Sequence, residues 1–255
     1  MVRLLLPLLA LMFAALAGPV AASEAGALPA LREQQTAVYA IVREFHMQTL
    51  LSGDPQRTRQ IKAAVDNMRK AAQNLPLKTG NSALDAAVTE TRAAVPRFTK
   101  LALANNILVD GYTDDNLIGE LYTEAELLVA ALDKAIKAVP AGKQRAQADK
   151  AHAANLLLQR TAAIYLKRGA QMAPDVGSAD SFDVAEATQD LDKQIQALAR
   201  DLRGNDVMAN VRSKWNFIRP SLLNYNEKSV PFIVDRYATQ INDGLHKLVV
   251  ELDAK

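Results

Sequence analysis

"AANLLLQRTAAIYLKRG", Ala153–Gly169, decides how the rest of the chain is read. It is rich in Ala and Leu and has no breaker before its final Gly, so it predicts a helix. Gln159 and Arg160 interrupt its apolar run. Asn155 and Gln159 are four residues apart and share a face with Ala163 and Leu166, which turns them inward. Arg160 has Leu156, Leu157, Ala163 and Ile164 at helical-neighbour spacing. Its guanidinium is then half-buried, or runs outward along its own stem. A buried guanidinium needs a carboxylate, a carbonyl or a bound anion. Two readings follow. In one, Arg160, Gln159, Asn155 and the hydroxyl of Tyr165 hold a small anion or polar ligand, since the planar fork of arginine suits planar oxyanions. In the other, Arg160 pairs with an internal acid such as Asp190 or Glu186, or lies solvated beside the core, and Tyr165 is a core residue with a wet tip.

Outward from this helix the same grammar recurs. Period-3.6 apolar stripes run through Ile61, Val65, Met68, Ala72 and Leu75, through Leu84, Val88, Val95, Phe98 and Ala102, and through Leu117, Leu121, Leu128 and Ala135. After Pro140-Ala-Gly they resume at Leu191, Ile195, Leu198 and Leu202, at Val207, Val211, Trp215, Ile218 and Leu222, and at Ile233, Tyr237, Ile241, Leu245, Leu248 and Leu252. Asp54-Pro55, Ser82 and Thr113–Asp115 supply starts, and "LPLKTGNS", "VDGYTDD", "APDVGSADS" and "RGND" supply stops. The fold class is therefore all-α, with eight helices in two four-helix bundle units. The halves also align. Leu117, Leu121 and Leu128 match Ile241, Leu245 and Leu252, Leu84, Val88 and Val95 match Val207, Val211 and Ile218, and "QQTAVYAIVR" from Gln34 matches "QRTAAIYLKR" from Gln159. This is the pattern of an internal repeat. The units are expected over residues 23–141 and 142–255, stacked end to end or joined by a continuous helix across Lys143–Ala153. Pro96 and Pro220 fall in the third helix of each unit, where each is expected to kink it. Arg43 and Arg168, equivalent in the repeat, are read as helix C-terminal cations.

The first 22 residues read as a signal peptide, the alternative being an uncleaved membrane anchor, since Leu4–Ala22 is just long enough to span a bilayer. Arg3 precedes an apolar run, a Gly18-Pro19 break, and small residues Val20 and Ala22 ahead of Ser23, the expected cleavage point. The mature chain is then exported, to the periplasm of a Gram-negative host, with no membrane-spanning segment. Removing Arg3 takes Lys+Arg from 30 to 29 against 28 acids, a net charge of +1. Such a balance gives no electrostatic case for a nucleic-acid partner. With no cysteine, disulfides, thiol catalysis and Cys-ligated zinc are excluded.

A family resemblance then comes into view. "LQRTAAIYLKR", Leu158–Arg168, resembles the motif R-Q-R-M-L-S-Q-R-M-A-K-x-Y-L of the PilJ-like N-terminal domain of type IV pili methyl-accepting chemotaxis transducers, through Gln159, Arg160, Ala162, Tyr165 and Leu166. "VRSKWNFIRPSLLN" from Val211 resembles the third helix of that family, and "VDRYATQINDGLHKLV" from Val234 resembles its fourth. The resemblance covers the second unit. It implies a periplasmic four-helix sensory module, similar in plan to the nitrate-sensing domains of NarX-like kinases, in which an arginine of the equivalent helix contacts the anion. It also implies a partner such as a membrane chemoreceptor, a kinase or a pilus component, and use as a homodimer. At the upstream Arg-Gln-Arg of the motif this chain has Ala153, Ala154 and Asn155, and in the first unit Gln35 stands where Arg160 stands in the second.

Other candidates carry less. His46, His152 and His246 have no metal-ligand spacing, and Glu120, Glu124 and Glu126 lack the E-x-x-H partner of a carboxylate-bridged metal site. No nucleophile elbow, phosphate loop or dinucleotide fingerprint occurs, so neither an enzyme nor a cofactor or metal is expected. The expected function is sensor-like recognition of a small ligand, relayed through a partner. The alternative is a non-catalytic structural or interaction bundle of the envelope or pilus machinery with no small ligand.

Overall fold

The structure is a computed structural model. It describes residues 18–140, 145–170, 182–225 and 229–254, with side chains from Gly26 onward. Nine helices occur among these residues: α1 (Gly18–Leu50), α2 (Pro55–Asn74), α3 (Ser82–Ala102), the one-turn α4 (Ile107–Asp110), α5 (Asp115–Ala138), α6 (Arg145–Ala170), α7 (Val184–Asp201), α8 (Asp206–Leu223) and α9 (Pro231–Asp253). The eight long ones are those the apolar periodicity predicts. Their starts are chemically marked. The side chains of Asp54, Asn81, Asp114, Asp183 and Asn205 each accept backbone N–H groups of the following turn. That satisfies donors a helix start leaves free. For α3 the capping residue is Asn81 rather than Ser82. Of the signal peptide, residues 1–17 lie outside the described residues, and the α1 backbone runs through the expected cleavage point. None of the described helices is long and apolar enough to cross a membrane.

Helices α1, α2, α3 and α5 pack in a ring as one bundle, and α6, α7, α8 and α9 as another. The first core holds Val38, Val42, Phe45, Ile61, Val65, Leu84, Val88, Phe98, Leu121 and Leu128. The second holds Leu158, Leu166, Leu191, Ile195, Val211, Trp215, Ile218, Ile241 and Leu245. In α9 the expected stripe is buried at Ile241, Leu245, Leu248 and Leu252, but in the first two turns Val234 and Ala238 take the place of Ile233 and Tyr237, and Ile233 is exposed. Trp215 is a core residue, as its stripe implies, and its Nε1–H donates to Asp192 Oδ1 at 2.9 Å. Pro96 and Pro220 sit inside α3 and α8, which remain single helices across them.

The bundles are neither stacked end to end nor linked by one helix. Helix α5 stops at Ala138, with Val139 extended, and α6 begins at Arg145. Helices α1 and α6 instead pack side by side along their lengths. They run parallel, because Arg32 meets Asp149, Gln35 meets His152 and Arg43 meets Gln159, in ascending order on both helices. Each also contributes to the other bundle's core: Ala163 of α6 belongs to the first cluster and Met47 of α1 to the second. Every residue from Thr161 to Lys167 is buried, on all faces of α6. A helix buried all round has no polar face to give to solvent. The polar residues of α1 and α6 must therefore find partners inside the protein.

Candidate functional site

The contact between α1 and α6 gathers most of the buried polar side chains. Arg32, Gln35, Arg43, His46, His152, Asn155, Gln159, Lys167 and, from α9, Asp235 are all buried. Arg43 is the hub, with only 3% of its side chain exposed. Its Nη1 donates to Gln159 Oε1 at 2.6 Å, and its Nη2 donates to Asp235 Oδ1 at 3.0 Å and Thr239 Oγ1 at 2.6 Å. Asp235 also faces Arg57 of α2 at 3.2 Å, and Arg57 reaches Glu44 at 3.0 Å. Burial pushes the Glu44 carboxyl up, against the pull of Arg57. One chain of contacts thus runs from α2 through α1 to α6 and α9, across both bundles. Arg43 is not the helix C-terminal cation the sequence suggested, since α1 continues to Leu50.

Two further groups flank the hub. Toward the N-terminal end of the pair, Arg32 is clamped between Asp149 of α6 and Asp253 of α9. Beside it His152 Nε2 lies 2.6 Å from Gln35 Oε1, while Gln35 Nε2 donates to the Val129 carbonyl at 3.2 Å. The Gln35 oxygen is therefore the acceptor, and His152 carries its proton on Nε2. Burial, reinforced by Arg32, lowers the His152 pKa to about 4. Toward the other end His46 Nε2 is 3.1 Å from the Tyr122 hydroxyl, and the Lys167 ammonium lies 5.3 Å from the Tyr122 ring centre. Complete burial, with Lys167 adding to it, lowers the His46 pKa to about 3.

The four residues expected to hold a ligand are not brought to one opening. Gln159 faces inward as expected, and its oxygen accepts from Arg43. Asn155 is buried, and its Nδ2 donates to Asn242 Oδ1 at 3.0 Å. Tyr165 is buried, and its hydroxyl accepts the Val230 backbone N–H at 2.9 Å, which fixes the approach to α9. Arg160 is half-buried, as expected, and differs only in the acid it meets. Its side chain is 34% exposed, it pairs with Glu126 of α5 at 2.7 Å, and its guanidinium stacks 4.6 Å above the Phe182 ring centre. The carboxylate is neither Asp190 nor Glu186 but one from the other bundle, held also by the Tyr39 hydroxyl at 2.6 Å.

Neither cavity described here fits an anion site at Arg160. An open depression of about 460 Å3 lies between α3 and the start of α5, lined by Leu101, Asp115, Asn116, Gly119, Glu120, Thr123 and Glu124. A space of about 10 Å3 lies between α1, α6 and α9, beside Arg32, His152 and Asn155. No group of three or more His, Asp or Glu among the described residues is placed to hold a metal ion. No family model matches the chain, no curated protein matches it, and no solved structure matches it.

Proposed function

We propose that this chain is an exported, non-catalytic interaction module of the helical sensory-domain type, which acts through a partner protein and encloses no small ligand at Gln159 and Arg160. One observation carries the reading. The cation that recommended a ligand site is matched by Glu126 and covered on one face by Phe182, and the Oε1 of its neighbour Gln159 accepts from Arg43, while Gln159 Nε2 and Arg160 Nε have no partner among the described residues. A charge already paired gains little from a second anion. The polar residues of α1 and α6 act as internal fasteners, and they fix how the two bundles sit against each other.

The surface that fits an interaction role is the α4 turn between α3 and α5. Leu108, Val109 and Tyr112 are 67%, 83% and 58% exposed there. Large apolar side chains grouped in this way on a surface mark contacts with other proteins. The PilJ-like resemblance, with the chemoreceptor, kinase or pilus component it implies as partner, remains part of the proposal.

Calorimetric titration with nitrate, nitrite, small carboxylates and amino acids tests the absence of a ligand. Neither the wild-type protein nor Arg160→Ala is expected to give a saturable heat. A saturable heat in the wild type that disappears in Arg160→Ala overturns the reading. A photo-crosslinking residue at Val109, used in envelopes of the source cell, is expected to trap one discrete partner, and the same residue at Lys247 is expected to trap none.

A further inference from the structure

The 10 Å3 space between the bundles has chemistry that selects its occupant. It is lined by Arg32 and Thr36 of α1, His152 and Asn155 of α6, and His246 and Asp253 of α9, with Pro29, Val249 and Val250 closing it. Two buried polar atoms of its lining have no partner among the described residues: Arg32 Nε, a donor, and Asn155 Oδ1, an acceptor. Both side chains are 2% exposed. Their other polar atoms are committed, Arg32 to Asp149 and Asp253, and Asn155 to Asn242. A donor and an acceptor buried without partners are destabilising, and a space of this volume is about one water molecule.

We propose that this space is a binding site for a single water molecule, which accepts from Arg32 Nε–H and donates to Asn155 Oδ1. Size and charge select water. A polyatomic anion or metabolite does not fit. A halide fits by volume, but Arg32 is already opposed by two carboxylates, and Asn155 offers an oxygen rather than an N–H. A monatomic cation is opposed by the Arg32 N–H. Water alone both accepts and donates. Its second proton has acceptors at hand in Asp253 and in the Nδ1 lone pair of His152, whose Nε2 proton is spent on Gln35. The site joins α1 of one bundle to α6 and α9 of the other.

A high-resolution crystal structure, with a companion crystal soaked in sodium bromide, tests this. The expected result is a full-occupancy water peak within hydrogen-bond distance of Arg32 Nε and Asn155 Oδ1, with no anomalous bromide signal there. An empty space, or a bromide peak in place of water, overturns the proposal. In Asn155→Asp, which keeps an acceptor oxygen, the peak is expected to persist. In Asn155→Leu it is expected to vanish. Retention of the peak at full occupancy in Asn155→Leu also overturns it, because Asn155 is then not a ligand of the water.

Discussion

Replacing Asp235 by Ala tests the buried hub at its one buried carboxylate. Asp235 is the carboxylate that meets Arg43, at 3.0 Å, and it is 5% exposed as a side chain. Without it Arg43 keeps two neutral partners, Gln159 and Thr239, while Arg57 keeps Glu44. A buried guanidinium stripped of its carboxylate costs about 3–5 kcal/mol. In a chain of this length that is a fall in melting temperature of about 10 °C. Arg43→Met is expected to cost less, about 1–3 kcal/mol, because Asp235 still faces Arg57 at 3.2 Å. The pair Arg43→Met with Asp235→Leu removes both charges together. It leaves the Gln159 and Thr239 oxygens short of a donor and Arg57 with Glu44 alone, so it is expected to cost about 1–2 kcal/mol, less than Asp235→Ala alone. Urea unfolding followed by circular dichroism gives the three values and their coupling, expected at about 2 kcal/mol at the least. If Asp235→Ala costs under about 1 kcal/mol, or if the two changes simply add, the network is not what holds α1 to α6 and α9.

Two other outcomes follow from residues outside the hub. His46 and His152 have folded pKa values lowered by burial to about 3 and about 4. The unfolded chain takes up those protons near pH 6.5, so the stability they contribute is complete above that pH and is lost as the pH falls toward 4 and then 3. The loss is about 1.4 kcal/mol per pH unit for each histidine. Urea midpoints at pH 7 and pH 5 should differ accordingly, and His152→Gln should flatten the dependence. Two helical glycines should respond oppositely to Ala. At Gly119 an added Cβ meets nothing within 4 Å, so helix propensity alone acts and stability rises by about 1 kcal/mol. At Gly244 the Cβ falls 2.5 Å from Val211 Cγ2, where α9 crosses α8, and overpacking of about 1–3 kcal/mol outweighs the propensity gain. Melting temperatures of the two variants decide both.

The helices were legible because their information is local. Amphipathic stripes such as Ile61, Val65 and Met68, with caps such as Asp54 and Asp114, mark elements wherever the chain goes. What was not legible is long-range. The partner of Arg160 is Glu126, which lies in another helix of the other bundle, so searching neighbouring acids of the same unit found only Asp190 and Glu186. Arg43 was misjudged for a related reason. A cation at the end of an apolar run resembles a helix C-terminus, and only the packing of α6 against α1 reveals it as buried. The all-round burial of α1 did leave a trace. Between Leu31 and Leu50 polar residues appear on every face, including Gln34, Gln35, Arg43, His46 and Gln48, among Val38, Ile41, Val42 and Phe45. A stripe that fails to settle on one side marks a helix shared between two cores.

The pairs Arg32–Asp149, Gln35–His152 and Arg43–Gln159 between α1 and α6 hold two bundles together as one folding unit. Native-state hydrogen exchange of the backbone amides measures this directly. Amides of residues 38–47 and 158–167 are expected among the slowest in the protein, with a common opening free energy equal to that of global unfolding, and unchanged by added nitrate. If the two segments open at different free energies, each with its own bundle, the α1–α6 contact is a loose junction and the account is wrong.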